Sequence, residues 1–449
     1  MNETNENKPI EQENLETKAI VDEPEKKECS CKKKCIFKRI GEAIKNNKKK
    51  TIVIAIIAFV LICAIVTVCC LSAFLFNRFA TGTVPTDEDL AAAKGQYKRV
   101  VIIGVDGVGD YFSKTYTPNF DKMFSDYKVG DTQINASVTY SGVAVYPTIS
   151  CENWMAMFHG VRPVYHGFIF RSTNQRVENG EHTDEEKYPS FMGQYLAQNP
   201  SGKILSVCTW RGVNNGIIEN DDRITKYNSY PDDVKEFLEN YDPVTQTAAN
   251  VKTVVDESQE EAVTTTIYDN IPGIEGQLYD FLSDQVKMYG YSDESIEMRD
   301  AMTMQRVIAE TVNDPDKYQI AYMHLDQVDH AGHSFGYSKP GYINAVSRVD
   351  TLIGRLYAAY EAAGMLEDTL FILCTDHGHR LPGGHKNHGK NTDEEVNITF
   401  AIAGKTVKSG TPGKYVNTDL APIVSYALGV KGAATWQGRV PYDMFAALD

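Results

Sequence analysis

Positive charge is scarce in this chain. Its 449 residues carry 45 Lys and Arg against 60 Asp and Glu, a formal net charge of −15. A protein that grips nucleic acid needs a basic face for the phosphates, so no nucleic-acid-binding surface is expected. Cysteine is also sparse. Of nine, Cys29, Cys31 and Cys35 sit in a basic CSCKKKC stretch and Cys63, Cys69 and Cys70 in an apolar run. Only Cys151, Cys208 and Cys374 lie beyond it. Three cysteines allow at most one intramolecular disulfide, which excludes a stapled fold and leaves the work to a hydrophobic core. Internal repeats and low-complexity tracts are absent beyond Tyr97. Hydrophobic residues at 42% and charged residues at 23% exclude wholesale disorder.

Charge is missing altogether from Thr51 to Phe76, TIVIAIIAFVLICAIVTVCCLSAFLF. At 1.5 Å per residue these 26 residues reach about 39 Å as a helix, enough for a ~30 Å hydrocarbon core with some tilt. A buried core helix is rarely apolar all round at this length. The run starts too late, runs too long and lacks the small-residue cleavage site of a secretory signal. Lys26 to Lys50 carries 11 Lys or Arg against 2 Asp or Glu, whereas Asn77 onward carries 32 against 50. Positive charge stays on the cytosolic side. The pattern reads as a single-pass type II membrane protein whose C-terminal domain is extracellular or lumenal, with residues 51–76 as a signal-anchor.

The domains follow: a disordered polar and basic cytosolic tail at 1–50, a transmembrane helix at 51–76, a stalk at 77–95 and a catalytic domain at 96–449. The tail is too poor in apolar residues to offset its ordering entropy. Its cysteine cluster lacks a second ligand pair for a metal and suits a solvated, palmitoylated tail. Asn135-Ala-Ser and Asn397-Ile-Thr are glycosylation sequons, which marks a glycoprotein. Apolar runs at Val100–Val105, Ile204–Val207, Ile320–Leu325, Thr369–Cys374 and Val396–Ala403 read as strands covered on both faces. Helical periodicity fills Glu294–Thr311 and Ile343–Gly364. Strands alternating with helices define an α/β fold with a mainly parallel sheet flanked by helices. Residues 170–200 and 215–275 are more polar and read as insertions or a cap.

Acids and imidazoles recur just after the strands. VVIIGVDGVG places Asp106, AYMHLDQVDHAGH places Asp326, Asp329, His330 and His333, and LFILCTDHGH places Asp376, His377 and His379. GGHKNHG adds His385 and His388. In open α/β sheets, ligands bind beyond the carboxyl ends of the strands, so these groups converge. Carboxylates and imidazoles without thiolates suit Zn²⁺, with Mn²⁺ or other divalent ions as alternatives. There are more donors than one tetrahedral ion takes, which points to a pair of ions and to phosphoryl transfer. In VAVYPTISCENWMAMFHGVRPVYHG, Ser150 opens a helix over Cys151–Phe158, whose free N–H groups favour a phosphate. A plain N-cap accounts for the same serine, and Thr148 and Cys151 compete with it as nucleophile.

The segments VIIGVDGVG, YPTISCENWMAMFHGVRPVYHG, DHAGHSFG and TDHGH with HGKNTDEEVNITFAIAG resemble the nucleotide pyrophosphatase/phosphodiesterase family of the alkaline phosphatase superfamily. They span Val101 to Gly404. The resemblance implies an alkaline-phosphatase-like core. In the family the nucleophile lies ten residues before the Gly of G-x-x-P-x-x-H-G. Here Gly160, Pro163, His166 and Gly167 form that run, and Ser150 takes the place of the usual Thr. The resemblance implies Asn153 on the phosphate. It places one zinc on Asp106, Ser150, Asp376 and His377, and another on Asp329, His333 and His388. The D-x-x-G-H pattern selects Asp329 and His333 over Asp326 and His330, and His385 is the fallback for His388. The family's usual DHGM reads DHGH here, which leaves His379 without a role.

The implied function is a membrane-anchored ecto-phosphodiesterase or nucleotide pyrophosphatase, a metal-dependent hydrolase working with two Zn²⁺ through a phospho-seryl intermediate. The implied partner is a phosphodiester substrate, nucleotides first and choline-phosphate lipids second. A phosphomonoesterase or lipid-headgroup phosphodiesterase fits the same metal core. A phosphoethanolamine transferase of membrane-anchor synthesis usually has many membrane spans, against one here. A sulfatase needs Cys-x-Pro-x-Arg, and Cys151 begins CENWM. The non-enzyme alternative is an inactive adhesion ectodomain, which has no need of so many ligands and a nucleophile. Tyr140, Tyr146, Trp154, Trp210 and Tyr230 are available to stack on a base.

Overall fold

Strand β1 (Arg99–Val105, RVVIIGV) is buried at every position, as a β-branched run covered on both faces must be. The other strands are β2 (Tyr127–Val129), β3 (Thr132–Val143), β4 (Ile204–Cys208) and β5 (Ile224–Asn228), the hairpin β6 (Val251–Asp256) and β7 (Val263–Tyr268), then β8 (Ile320–Leu325), β9 (Thr369–Thr375) and β10 (Asn397–Gly404). The structure, a computed structural model, describes residues 59–63, 96–169, 172–230, 296–380 and 386–440, the backbone of β6 and β7, and a few single residues. The tail, most of the apolar run, the stalk and His385 lie outside the described residues.

The chain divides into two compact units, 1–77 and 78–449. In the first, residues 59–63 are helical, with Phe59, Val60, Leu61 and Ile62 exposed. Among the described residues no helix is long and apolar enough to cross a membrane. The second unit carries the fold.

Among the described residues its main sheet has eight strands in the order β2-β3-β10-β9-β1-β8-β4-β5. From β9 to β5 all neighbours pair in parallel. Beyond β9 every pairing is antiparallel. The expected mainly parallel sheet is therefore mixed. β10 is as thoroughly buried as the parallel strands, so its apolar run carries no sign of its direction. Residues 224–228, read as part of an insertion, are instead the strand at the sheet's edge.

Alternate side chains of β1 point to opposite faces of the sheet. Val100 and Ile102 join a core with Trp154 and Phe158 of α1 (Ser150–His159) and Leu420 and Ile423 of α5 (Leu420–Ala427). Val101, Ile103 and Val105 join a second core with Met298 and Ala301 of α2 (Ile296–Val312), Val328 of α3 (Gln327–Phe335) and Val349 and Ile353 of α4 (Pro340–Ala362). Burying each such side chain contributes about 1.5–3 kcal/mol before entropy is counted. Helix α4 starts three residues before the expected Ile343. Pro340 occupies its first turn, where a missing N–H costs nothing.

Cys151, Cys208 and Cys374 are buried free thiols, so the core holds this unit without a disulfide among the described residues. Asn135 lies inside β3 with its amide donating to the Val407 carbonyl at 3.0 Å, and Asn397 opens β10. Both sequons thus sit in sheet strands rather than in loops.

Candidate active site

Register brings the acids together. Val105 of β1 pairs with Leu325 of β8 on one side and Thr375 of β9 on the other. The next residues, Asp106, Asp326 and Asp376, therefore leave three adjacent parallel strands side by side. Gly107 then turns the chain at φ +69°, and a Cβ there would meet Asp329 Oδ1 at 2.5 Å. Only glycine lets α3 bring Asp329 this close to the end of β1.

Ser150 is the first residue of α1, and its Oγ lies 3.3 Å from both Asp106 Oδ1 and His377 Nε2. The helix N-terminus places a partial positive charge beside it, although the Cys151 N–H is already donated to Asn174 Oδ1 at 3.1 Å. Its rivals are engaged elsewhere. Thr148 Oγ donates to the Lys390 carbonyl at 2.7 Å and accepts from the Gly389 N–H at 3.1 Å. Burial pushes the Cys151 thiol well above its ordinary pKa, against the thiolate a nucleophile requires.

Asp106 is held by one residue the sequence flagged only for stacking, Trp154, and one it did not flag, His324. Trp154 Nε1 donates to its Oδ2 at 2.9 Å, and His324 Nε2 lies 3.2 Å from the same oxygen. Oδ1 is left to face Ser150 and His377. Burial opposes the charge on Asp106, but the His324 bond and the nearby imidazoles win and hold its pKa below the usual carboxylate value. Trp154 is fully buried, so it serves Asp106 rather than stacking on a substrate. Trp210 likewise spends its indole N–H on Glu178 at 2.6 Å, whereas Tyr146 is exposed. His324 sits inside a fully buried apolar strand, where it reads as a core residue.

Three imidazoles share one arrangement. His377 Nδ1 lies 2.9 Å from the Gly378 carbonyl, His388 Nδ1 2.7 Å from that of Thr148, and His333 Nδ1 2.5 Å from that of Lys386. A carbonyl only accepts, so each Nδ1 carries the proton and each Nε2 lone pair points inward. His377 Nε2 lies 3.3 Å from Asp376 Oδ2, His333 Nε2 3.1 Å from Asp329 Oδ2, and His388 Nε2 3.8 Å from Asp329 Oδ1. Lone pairs facing carboxylates repel unless a proton or a cation lies between them. The bond to Asp329 accordingly raises His333 to about 9, while burial and then His388 push His377 down to about 4.

The donors fit divalent cations. Asp106, Asp376 and His377 form one group with ligand atoms within 4.8 Å of one another, and Asp329, His333 and His388 form another. Among the described residues Asp376 Oδ2 is buried without a hydrogen-bond donor, while its Oδ1 takes the N–H groups of Gly107 and His377. Burial, and then Asp106, pushes Asp376 well above its usual pKa. Asp326 forms a further group with Asp106 and Asp329, and burial beside Asp106 lifts it to about 7. His330 belongs to none of these groups among the described residues.

Asn153, expected on the phosphate, has its amide engaged within the protein. Its Oδ1 accepts from the Val145 N–H at 2.8 Å and from Asn417 Nδ2 at 3.0 Å. Its Nδ2 donates to the carbonyls of Val145, Pro147 and Ile149 at 3.0–3.1 Å. Fully buried and saturated, it moulds the loop that delivers Ser150. Asn153→Ala leaves several buried partners unsatisfied, at about 3 kcal/mol. We expect its melting temperature and its turnover to fall together. Lost turnover at an unchanged melting temperature would return the amide to the substrate.

Strand ends carrying Asp106 and Asp376–His377 meet Ser150 of a helix N-terminus at one edge of an alkaline-phosphatase-like α/β fold. The wild-type alkaline phosphatase PafA superposes with a TM-score of 0.53 at 13% identity, over 79% of this chain and 100% of that one. Residues 100–381 match the model of the type I phosphodiesterase / nucleotide pyrophosphatase family, and the chain belongs to that family. Similarity to curated proteins is local. The GPI ethanolamine phosphate transferase 2 of Aspergillus oryzae (strain ATCC 42149 / RIB 40) is 36% identical over 70 residues, 16% of this chain and 8% of that protein. An arylsulfatase of Volvox carteri is 28% identical over 106 residues, 22% of this chain and 16% of that protein.

Proposed function

We propose that this chain is a divalent-cation-dependent hydrolase of phosphodiester or pyrophosphate bonds, with Ser150 as nucleophile. The observation that carries the reading is the Ser150 hydroxyl, 3.3 Å from both Asp106 and His377 at the start of α1, within a matched phosphodiesterase domain. Asp106, Ser150, Asp376 and His377 would hold one cation, and Asp329, His333 and His388 the other. When bound, such ions supply Lewis acidity that eases loss of the hydroxyl proton and neutralises charge at the leaving oxygen. Zinc suits the oxygen and imidazole donors, and manganese is the alternative.

Ser150 Oγ forms a bond to phosphorus as the bond to the leaving group breaks, giving a phosphoseryl ester. The N-terminus of α1 faces the charge that builds on the phosphoryl oxygens. Water then cleaves the Oγ–P bond and restores the hydroxyl. Trp154 and His324 keep Asp106 Oδ1 turned towards the serine throughout. Family membership favours a nucleotide substrate. The uncharged run at 51–76 and the basic segment before it support a type II anchor with the catalytic unit outside the cytosol.

The full-length chain, purified in mild detergent, tests the reading. It should cleave a p-nitrophenyl ester of thymidine monophosphate faster than p-nitrophenyl phosphate, lose that activity to chelator and regain it with zinc. Faster monoester cleavage would make it a phosphatase. The local likeness to a protein named as an ethanolamine phosphate transferase favours group transfer as the second reading. That reading predicts product on an added alcohol acceptor in place of hydrolysis.

A further inference from the structure

Outside the reacting groups, a buried aromatic cluster lies behind Asp329. Tyr337 lies just beyond α3, is fully buried, and donates its hydroxyl to Asp329 Oδ1 at 2.5 Å. His379 stacks on its ring at 4.6 Å with planes 9° apart, and Tyr342 meets it edge-on at 5.4 Å. Tyr342 in turn donates to the carbonyls of Gly107 and Val108 at 2.9 and 3.0 Å, the backbone directly after Asp106. Gly332 makes room for this ring: a Cβ there would meet Tyr337 Cε1 at 2.2 Å. The glycine within DHAGH and the second histidine of DHGH therefore serve one tyrosine.

We propose that Tyr337 is a positioning residue that fixes the rotamer of Asp329. Its hydroxyl occupies Oδ1 and leaves Oδ2 turned to His333 Nε2 at 3.1 Å, where the second cation would bind. His379 and Tyr342 clamp the ring between the end of β9 and the end of β1, so both halves of the site share one support. Hydrogen bonds to metal-ligating carboxylates typically tune affinity 10–100-fold. The inference rests on the proposed cation site, and its test separates the two.

Full-length protein stripped of metal is titrated with Zn²⁺ alone by calorimetry, as wild type, Tyr337→Phe, Asp329→Asn and the double variant. Tyr337→Phe keeps the ring and loses the hydroxyl. We expect one of two binding events to weaken roughly 10–100-fold, the other to hold, and the metal-free melting temperature to stay close to wild type. In the Asp329→Asn background the same change should have no further effect on Zn²⁺ binding. Two wild-type events that Tyr337→Phe leaves unchanged, or weakens equally with a fallen melting temperature, would overturn the positioning role alone. A wild type that takes up no Zn²⁺ would overturn the cation site, and the positioning role with it.

Discussion

Replacing Ser150 with alanine leaves a protein that still binds its divalent cations and has lost turnover by roughly 10⁴-fold or more. No neighbour takes the serine's place. The Thr148 hydroxyl is bound on both sides by the 389–390 backbone, and the Cys151 thiol is buried and strongly protonated. Asp106, Asp376 and His377 remain as donors, so cation content measured by elemental analysis should change little. Ser150→Thr keeps a hydroxyl at the same position and should keep most activity. Wild-type turnover in Ser150→Ala would assign the attack to water.

Chelation has the second largest expected effect. Asp106, Asp326, Asp329 and Asp376 crowd one region beneath three imidazoles, an arrangement whose charges oppose one another without cations. At a thousandfold excess over Kd each bound ion contributes about 4 kcal/mol, so removing two should lower the melting temperature on the order of 10 °C. The loss should grow with pH. Asp326, raised to about 7, contributes stability that is full below its unfolded pKa and gone once pH passes its folded value. Asp376, pushed well above the usual carboxylate value, likewise loses its contribution as pH rises, and His333, raised from 6.5 to about 9, loses its own between those values. Cation binding meanwhile strengthens as those protons leave. Thermal melts with and without chelator should therefore diverge from pH 7 to pH 9. Parallel melts across that range would contradict the cation sites.

Much of this was legible because burial and chemistry coincide in the sequence. The five apolar runs became strands with ends within about a residue, since a strand covered on both faces leaves an uninterrupted β-branched signature. The acids directly after them marked the site, because parallel strands in register must release neighbouring residues together. Strand direction was not legible. β10 and β9 are equally apolar yet antiparallel, and β3 mixes buried and exposed positions without a clean alternation. His324 and Tyr337 were missed, and Trp154 was read only as a stacking residue, because each lies within apolar or aromatic sequence and acts only through a carboxylate that the fold brings to it. Asn153 shows the opposite limit. Its place in the first turn of α1 suggests a ligand contact, and only the folded loop shows its amide fully engaged.

Ser150 itself provides the most direct test. During turnover of a nucleotide diester, the full-length protein is quenched in acid within milliseconds, digested, and the peptide containing Ser150 is weighed by mass spectrometry. The account predicts a fraction of that peptide carrying the nucleotidyl group on Ser150, rising as turnover begins and absent from Ser150→Ala. Rapid turnover with the Ser150 peptide unmodified at every quench time would contradict it.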